Sequence, residues 1–589
     1  MTSKPALSSA CLAIVFWLAV PGVAQRGQFP QDEMKTWLTY IASDALQGRQ
    51  AYTEGLGLAG AYVADHLKEW GVTPAGDAGS YFQTVTVLGM RTRSNSSVTV
   101  TANGQTRTFK DGDGVTFPRN QGGKQTITAG VEFVGYGLQL KALGHDDYAR
   151  RNATGKVALY IGRGIRGMTT AQNRLLNGRA RDAVELHRAV AAIGPVAAPA
   201  GRGRGAGPAA PSDAGRGAGP AAPSDAGRGA AAPTPPTNPP AATANAAQRT
   251  DFQTTRDLSL LVAPQLTAGD AFFEFLFSGS GYTYETLRAL AAKQEPLPEI
   301  ALRDVTITIS VDAEYDRVQT RLTRNVVGLV RGTDAKLRDT YVAVGAHLDH
   351  VGYQQFAPAG GGGGAIAACQ GQTRPAPRPG DIINNGADDD GSGIVSLMAI
   401  ARAFATGQKP KRSVLFVWHS GEEDGLLGSR YMADRPVVPL DRVVAMLNVD
   451  MVGRNRCDDP AQANTVYVVG SERISTELHN LNEAANASLA RPLTLDYEYN
   501  DVADVESIYT RSDHYSYASK GVPIIFFTTG LHRDYHFVTD EVDKIEFGKM
   551  ARIAELIHAT ANRLGNQQRA PARDFAGPRV GKGQTGVIR

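Results

Sequence analysis

The spacing of apolar residues changes along the chain, and each spacing predicts a different kind of element. Near the amino terminus, apolar residues recur at helical spacing in two stretches that begin at about residues 32 and 59. From residue 81 onwards, short alternating stretches such as 84–87 and 98–101 predict β-strands. Beyond residue 305, apolar strands alternate with amphipathic helices, which predicts an α/β fold with a mixed, mostly parallel sheet covered by helices on both faces. The strands of this part are predicted at 305–311, 325–330, 341–345, 413–418, 443–449, 465–469 and 522–527.

The stretch between residues 201 and 247 interrupts this pattern. Gly, Ala, Pro, Ser and Arg dominate it, and the sequence of residues 206–217 recurs at 218–229. Such a composition cannot bury enough apolar surface to offset the entropy of ordering the chain, so a disordered loop is predicted. We expect the same of the tail at 567–589, which is rich in Gly, Pro and Arg.

The β-rich stretch around that loop is predicted to be an insert in the α/β domain. Its pieces at 131–137 and 155–160, with an Asp-Asp-Tyr sequence between them, resemble the protease-associated domain that several exopeptidases carry. An unrelated β-rich insert is the alternative. The predicted division of the chain is 1–24 as a signal peptide, 25–95 as the first part of the α/β domain, 96–300 as the insert, 301–566 as the rest of the α/β domain, and 567–589 as the tail.

The amino terminus has the pattern of a secretory signal peptide. Lys4 precedes an apolar run at 7–20, and the small residues at 22–24 resemble a cleavage site. A membrane anchor is the alternative, but the run is shorter than the ~20 residues that span a bilayer. We therefore expect residues 1–24 to be removed, no stable membrane anchor to remain, and the mature protein to be secreted or periplasmic.

Cysteine content and charge refine this picture. Cys11 lies in the predicted signal, so the mature chain keeps Cys369 and Cys457, which an oxidising compartment could join in a disulfide; two free thiols are the alternative.

Lys and Arg number 61 against 58 Asp and Glu, a formal net charge of +3. So small an excess gives no basis for nucleic-acid binding, and no nucleic-acid partner is expected.

Potential metal ligands stand at the ends of the predicted strands or in the loops that follow them. Because open α/β sheets place their sites at the carboxyl ends of strands, we expect these side chains to converge. Imidazole and carboxylate ligands without thiolates suit zinc in a hydrolytic site, and a carboxylate that bridges two ions suits aminopeptidase chemistry. The candidates are His347, Asp389 or its neighbour Asp388, one of Glu422 and Glu423, Asp450 and His536.

Six short motifs carry a resemblance to a known family. They occur in the order found in the co-catalytic di-zinc aminopeptidases of metallopeptidase family 28, and the resemblance covers about residues 300 to 565. A looser likeness extends over residues 38–83, which include the sequence SDALQGR at 43–49. The motifs are GAHLD at 345–349, GADD at 386–389, GEE at 421–423 with GLLGS at 425–429, LNVDM at 447–451, SDH at 512–514 and DYH at 534–536.

This resemblance implies a zinc exopeptidase fold, of the phosphorylase/hydrolase-like type, with two zinc ions per chain. His347 and Asp450 resemble the ligands of one zinc ion. Glu423 and His536 resemble those of the other, and Asp389 resembles the bridging carboxylate. Each ion then has three protein ligands and a shared water, which is the open coordination that catalytic zinc requires.

The same resemblance assigns roles to residues that do not bind metal. Glu422 resembles the general base, which takes a proton from the shared water and passes it to the leaving amine. Asp349 resembles the carboxylate that orients His347 and fixes its tautomer. The remaining neighbours in sequence are expected behind the ligands or in the substrate pocket, and they are His350, His419, Asp513, His514 and His532.

The predicted function is that of a secreted zinc aminopeptidase that hydrolyses amino-terminal residues from peptides, with Tyr509 or Tyr515 as candidates for stabilising the oxyanion. A carboxypeptidase-like enzyme or a dipeptide hydrolase on the same fold is an alternative. A glutaminyl cyclase is disfavoured, because the sequence offers ligands for two ions. A non-catalytic binding protein on a peptidase scaffold should lack a ligand or the base, and the sequence lacks neither. The sequence predicts neither side-chain preference nor oligomeric state.

Overall fold

The computed structural model describes residues 29–196, 250–354, 369, 372 and 376–575. The predicted signal peptide at 1–24, the predicted loop at 201–247 and residues 576–589 of the predicted tail lie outside the described residues. The described residues form a large mixed sheet with covering helices, a closed β-barrel and a small two-stranded sheet.

Strands dominate the first half of the chain, and strands alternate with helices in the second half. The strands before residue 197 are β1 (Thr73–Pro74), β2 (Phe82–Ser94), β3 (Ser97–Ala102), β4 (Gln105–Asp111), β5 (Gly114–Thr116), β6 (Gln125–Phe133), β7 (Gln139–Leu140), β8 (His145–Asp146), β9 (Val157–Leu159) and β10 (Ala191–Pro195). The strands after residue 249 are β11 (Phe252–Thr254), β12 (Gln265–Ala268), β13 (Thr306–Val311), β14 (Ala313–Val330), β15 (Tyr341–His347), β16 (Ser413–His419), β17 (Val443–Val449), β18 (Thr465–Val469), β19 (Thr494–Asp496) and β20 (Ile524–Thr528).

The helices pack against the large sheet and against the barrel. They are α1 (Gln31–Ile41), α2 (Glu54–Glu69), α3 (Arg179–Glu185), α4 (Asp270–Leu276), α5 (Tyr284–Ala292), α6 (Gly393–Thr406), α7 (Leu427–Asp434), α8 (Thr476–Ala487), α9 (His514–Ala518) and α10 (Phe547–Asn566). Within the described ranges, none of them combines the length and the apolar character that crossing a membrane requires.

The large sheet is parallel only in its centre and at one edge. Its strand order is β11-β2-β14-β16-β15-β17-β20-β18-β19, with β1 paired to β14. The neighbours β16, β15, β17 and β20 run parallel, as do β18 and β19. The pairings from β11 through β2 and β14 to β16, and that of β20 with β18, are antiparallel. The predicted mixed sheet is confirmed, but the prediction that it is mostly parallel is wrong for the strands from β11 to β16 and for β20 with β18.

The connection to the insert explains the antiparallel flank. The chain leaves the sheet through β2 and returns to it through β14, so these two strands run in opposite directions. They pair from Phe82↔Val326 to Ser94↔Ala313 and form a long ribbon that joins the sheet to the barrel. Because the large insert lies between the two strands in sequence, the alternation of strands and helices gives no indication of this pairing.

Both faces of the central strands are covered, as their unbroken apolar sequence requires. In β15, Val344 and Ala346 pack in one core with α1, α2, α6 and α10, whereas Ala343 faces the opposite core. There, Met432 of α7 and Tyr517 of α9 cover the sheet. The predicted apolar stripe of α1 is buried, and its members are Met34, Trp37, Leu38 and Ile41.

The insert folds into a closed barrel with the strand order β10-β12-β5-β4-β3-β13-β6-β9. The predicted assignment of residues 305–311 to the α/β domain is wrong, since β13 lies between β3 and β6 of the barrel. Its alternating residues Ile307 and Ile309 pack in the barrel core with Val98 and Phe272. β11, by contrast, pairs with β2 of the large sheet. The likeness of the insert to a protease-associated domain stays a prediction.

Candidate metal centre

The carboxyl ends of the central parallel strands bring the first group of candidate ligands together. β15 ends at His347, and Asp450 directly follows the neighbouring strand β17. His347 Nε2 lies 3.6 Å from Asp450 Oδ1 and 3.1 Å from Asp389 Oδ1. All three side chains are buried. Three donors from distant positions in the sequence therefore meet in one place.

A second group of donors lies on the other side of Asp389. His536 Nε2 is 3.0 Å from Asp389 Oδ2 and 3.0 Å from Glu423 Oε2. His350 Nδ1 is 3.0 Å from Glu423 Oε1 and 3.8 Å from Asp389 Oδ2. The two carboxylate oxygens of Asp389 thus face two different groups of donors, which is the arrangement that a bridging ligand requires.

Three consecutive aspartates, residues 388–390, form an acidic loop, and only Asp389 contacts both groups of donors. Asp388 accepts the N–H of Gly453 at 2.6 Å, and Asp390 accepts the N–H of His347 at 3.0 Å. Asp390 lies close enough to His347 to share a metal ion with it, but its oxygens are already used by backbone donors. The geometry therefore favours Asp389 over Asp388 as the bridging carboxylate.

Asp349 acts on the site through a different atom from the one predicted. Its carboxylate accepts the N–H groups of Gly421, Glu422 and Glu423 at 2.7, 3.1 and 3.3 Å. The Nδ1 atom of His347 lies 4.0 Å from that carboxylate but 3.0 Å from the backbone carbonyl oxygen of Asp349. The carbonyl accepts the hydrogen bond that orients His347, and the carboxylate instead holds the turn that carries both glutamates.

Glu422 is half-buried in the wall of a cleft of about 410 Å³, which also reaches His347, Asp389 and Asp450. Burial raises the pKa of Glu422 well above its usual range. The charge of His347 opposes this change, and the charges of Glu423 and Asp450 add to it. A carboxyl group with a raised pKa holds a proton more strongly, which suits a group that must accept a proton and then release it.

Buried carboxylates raise the pKa of both candidate imidazoles. Burial disfavours the charged form of His347, but Asp450 and Asp390 outweigh it and bring the pKa well above the ordinary value. Burial also disfavours the charged form of His536, and there the opposing charge is that of Glu423. The site therefore concentrates negative charge in a buried volume, and a divalent cation would compensate it.

The donor set fits zinc. Asp389 Oδ2 and His536 Nε2 are buried, and neither makes a hydrogen bond of good geometry within the described ranges. Buried polar atoms are almost always paired, so these two atoms indicate a partner such as a metal ion. Imidazole and carboxylate donors without thiolates are typical of hydrolytic zinc sites. Within the part of the chain that the structure describes, two groups of side chains lie close enough together to bind a metal ion. One is His350, Asp389, Glu423 and His536, and the other is His347, Asp390 and Asp450.

Comparison with known proteins identifies the part of the chain that carries these ligands. Residues 325–561 match the model of Peptidase family M28. We call this matched range, residues 325–561, the M28 domain. All five predicted metal ligands and Glu422 lie within the matched range.

Curated relatives match parts of the same region. A probable leucine aminopeptidase of Arthroderma otae is 29% identical over 188 residues, which are 30% of this chain and 48% of that protein. The probable leucine aminopeptidase 2 of Aspergillus oryzae is 28% identical over 267 residues, which are 44% of each chain. The chain thus spans about half the length of these relatives. Among solved structures, an aminopeptidase from Aneurinibacillus sp. strain AM-1 is 17% identical with a TM-score of 0.40, covering 94% of this chain and 98% of that one.

Asp513 lies behind the metal centre of the M28 domain. Its Oδ2 atom is 3.3 Å from Nδ1 of His419, and Nε2 of His419 is 3.0 Å from the hydroxyl oxygen of Tyr517. His419 ends β16 directly beside His347, which ends β15. This buried row of polar groups supports the strand end from which His347 reaches the site.

The tyrosines expected to stabilise an oxyanion lie away from the cleft of the M28 domain. Tyr515 donates a hydrogen bond to Glu185 of the insert, and the guanidinium of Arg473 lies 3.6 Å from the ring centroid of Tyr509. Among the described residues, the tyrosine that lines the cleft is Tyr535. The geometry therefore contradicts the choice of Tyr509 or Tyr515.

Tyr535 and Arg511 are cleft residues that the sequence prediction missed. The ring of Tyr535 stacks on His536 with centroids 3.9 Å apart, and Arg511 Nη2 donates to its hydroxyl oxygen at 3.0 Å. Tyr535 belongs to the DYH motif, so its position beside a ligand was a usable signal. Nothing in the sequence around Arg511 indicates that its side chain reaches Tyr535.

The buried Arg49 is a further residue that the site depends on. Its guanidinium donates to the carbonyl oxygens of Ile41 at 2.7 Å, Asn385 at 2.6 Å, Gly386 at 3.0 Å and Leu348 at 3.2 Å. One side chain therefore ties the end of α1 to the loop after β15 and to the start of the acidic loop. The SDALQGR sequence at 43–49 was the available signal for this role.

A disulfide joins Cys369 and Cys457, whose Cα atoms are 5.2 Å apart. The N–H of Cys457 donates to the carbonyl oxygen of Leu531 at 2.9 Å. Leu531 lines the cleft of the M28 domain, so the disulfide lies at the rim of the cleft.

Proposed function

We propose that this protein is a zinc-dependent aminopeptidase that releases amino-terminal residues from peptides and binds two zinc ions. The observation that carries this proposal is the position of Asp389, whose two oxygens face separate groups of imidazole and carboxylate donors. That arrangement suits two ions that share one carboxylate. The names of the M28 relatives point to the same activity.

The proposed ligands follow from the two groups of donors. His347 and Asp450 would hold one zinc ion, Glu423 and His536 the other, and Asp389 both. Zinc bound at these ligands supplies Lewis-acid activation of a water and of the scissile carbonyl group.

Glu422 is the proposed general base and general acid. It lines the same cleft as the ligands, while its backbone N–H is fixed by the carboxylate of Asp349. Its carboxylate takes the proton of the attacking water and later gives it to the leaving amine. Burial raises its pKa, so its carboxylate binds a proton more strongly than an exposed glutamate does, which favours the first of these transfers.

Tyr535 and Arg511 are proposed to act on the substrate side of the cleft. The Tyr535 hydroxyl accepts a hydrogen bond from Arg511 and keeps its own proton free to donate. Both side chains line the cleft. A hydroxyl held in this way can donate to the negative oxygen of the tetrahedral intermediate.

The remaining cleft wall favours an apolar amino-terminal side chain. The apolar residues in it are Met451, Ile508, Phe526 and Leu531. Burying a side chain of the size of leucine against such a wall contributes roughly 1.5–3 kcal/mol. A peptide with an apolar first residue is therefore the proposed substrate.

Secretion to an extracellular or periplasmic compartment is part of the proposal. The disulfide between Cys369 and Cys457 supports it, because such bonds persist in oxidising compartments.

The direct test measures hydrolysis of L-leucine p-nitroanilide by the full chain before and after zinc removal. We expect turnover that chelation abolishes and that zinc restores, with about two zinc ions bound per chain. An N-acetylated leucine anilide should not be cleaved, because an aminopeptidase requires the free amine. Hydrolysis of N-blocked peptides with a free terminal carboxylate, without anilide hydrolysis, would instead indicate the carboxypeptidase-like alternative.

A further inference from the structure

The insert contacts the cleft wall of the M28 domain through residues 506–515, which belong to the loop after β19 and to the start of α9. The insert side chains come from the segment 172–185, which connects β9 to β10 of the barrel. Between the contact points lie Ile508, Arg511 and Ser512, which line the cleft. The contacts are Arg174 Nη1 to Glu506 Oε1 at 2.9 Å, Arg181 Nη1 to Thr510 Oγ1 at 3.1 Å, and the Tyr515 hydroxyl to a carboxylate oxygen of Glu185.

Glu506 connects the insert to the cleft. One of its oxygens accepts from Arg174, and the other accepts from Arg511 Nη1 at 3.2 Å. The Glu506 side chain is only 9% exposed, whereas that of Arg174 is 42% exposed. A nearly buried carboxylate held between two guanidinium groups has little freedom, because moving away from either one loses a charge-assisted hydrogen bond.

Arg511 extends this connection to the reacting centre. While Nη1 contacts Glu506, Nη2 donates to the hydroxyl of Tyr535 at 3.0 Å. A planar guanidinium that makes both contacts at once is fixed in its orientation. Tyr535 in turn stacks on His536, one of the proposed metal ligands. A continuous row of contacts therefore leads from the surface of the insert to the cleft.

We propose that Arg174 of the insert is a positioning residue for the M28 cleft, acting through Glu506 on Arg511 and Tyr535. The catalytic part of this inference rests on the proposed aminopeptidase function, and the structural part does not. The insert in this view sets the orientation of the two polar side chains that face the substrate, although it contributes no residue to the metal centre itself.

The test compares Arg174→Ala and Arg174→Lys with two controls in the zinc-loaded full chain. Arg150→Ala removes an exposed arginine of the insert that lies 3.8 Å from Glu299 and not at the contact between Arg174 and Glu506. Arg181→Ala removes a different contact between the insert and the same loop. The measurements are kcat and KM for L-leucine p-nitroanilide, and amide hydrogen exchange of residues 506–512 followed by mass spectrometry.

We expect Arg174→Ala to lower kcat about tenfold, because side chains displaced by less than 1 Å lose much of their effect. KM should stay within about twofold, since the metal centre and the apolar wall are intact. Exchange of residues 506–512 should become faster. Arg174→Lys keeps a positive charge that can reach Glu506, so it should recover most of the lost kcat. Arg150→Ala should behave like the wild type. Arg181→Ala should change kcat less than twofold.

Unchanged kcat and exchange in Arg174→Ala would overturn the inference. An equal loss of kcat in Arg181→Ala would also overturn the route through Glu506, because it would indicate general docking of the insert. If the wild type hydrolyses no anilide, the proposed function fails, and hydrogen exchange alone still decides whether Arg174 holds the loop. If Arg174→Ala does not fold, Glu506→Gln, which keeps the size of the side chain, is expected to give the same loss of kcat.

Discussion

At the residue scale, the role of each carboxylate depends on whether backbone donors already use its oxygens. Asp349, Asp388 and Asp390 accept N–H groups from the surrounding loops, and they therefore stabilise the scaffold. Asp389 instead presents both oxygens to imidazoles, which leaves them available to metal. Asp388, Asp389 and Asp390 are identical side chains in one loop. They take different roles because the backbone conformation points each carboxylate at different partners.

Replacement of Glu422 by Gln tests its proposed role. Gln has nearly the same shape but cannot accept the proton of water, so kcat for L-leucine p-nitroanilide should fall at least about 100-fold. Zinc content, measured by atomic absorption, should stay near two ions per chain, because Glu422 belongs to neither group of ligands. Glu423→Ala is the matched control, and it should lower the zinc content. Substantial activity of Glu422→Gln would reject Glu422 as the base.

Asp534 should make the stability of the protein depend on pH. Burial alone would raise its pKa, but Thr539, Lys544 and Arg454 lower it to about 2. The pKa of the unfolded state is about 3.9, so the stabilisation is complete above that pH and is lost as the pH falls towards 2.

Urea unfolding of the wild type and of Asp534→Asn at pH 6 and pH 3 measures this effect. At pH 6 the variant should be less stable by about 2 kcal/mol, and the difference should be smaller at pH 3. The same substitution at the exposed Asp65 is the control and should change the free energy of unfolding little at either pH. A difference that grows on acidification would contradict this assignment.

At the element scale, the site is built from the ends of parallel strands and the turns that follow them. The pairing of β15 with β16 and β17 sets His347 beside His419 and close to Asp450. The turn after β16 carries both glutamates, and the carboxylate of Asp349, just beyond β15, fixes that turn through three backbone N–H groups. The order of the strands therefore decides which ligands meet.

Asp349→Ala tests this connection between two strand ends. Three buried N–H groups lose their acceptor, so the turn should shift, zinc content should fall, and kcat should drop about 100-fold. Asp349→Asn keeps one acceptor oxygen and should lose less. Asp339→Ala, at an exposed position shortly before β15, is the control and should resemble the wild type. An Asp349→Ala variant with full zinc content and activity would show that the turn holds without this carboxylate.

At the scale of the whole molecule, two long-range connections hold the parts together. The ribbon of β2 and β14 joins the large sheet to the barrel, and the segment 172–185 of the barrel reaches back to the cleft wall. The disulfide adds a third connection across 88 residues of sequence, a stretch that contains Asp389, Glu422, Glu423 and Asp450. Three of the five proposed ligands, together with the proposed base Glu422, are thereby enclosed in one covalent loop.

Removal of the disulfide should lower stability without changing the ligands. A loop of this length reduces the entropy of the unfolded chain enough to contribute up to about 4 kcal/mol. The double variant Cys369→Ser and Cys457→Ser should therefore unfold at lower urea concentration than the wild type, while its zinc content stays the same. Equal urea midpoints for the two proteins would show that the disulfide does not stabilise the fold.

The sequence by itself determined the local elements and the choice of candidate ligands. Apolar spacing predicted β15, β16, β17 and β20 closely, because buried strands must be continuously apolar. The ligand types predicted a zinc site, and the structure brings His347, Asp389, Glu423, Asp450 and His536 together. These features depend on short stretches of sequence, so they could be predicted without the fold.

Only the tertiary structure decided which atoms act. Residues 305–311 have a strand pattern in either domain, and their place in the barrel depends on partners more than 170 residues away, such as β6. Loop conformation decides that Asp389, and not Asp388, faces both groups of donors. It also decides that the carbonyl oxygen of Asp349 accepts the hydrogen bond from His347. The contact of Arg511 with Tyr535 depends on neighbours that are distant in sequence. The periodicity of apolar residues predicts which side of a helix or strand is buried. The roles of these side chains depend instead on which residues of other elements they contact, and only the packing of the elements decides that.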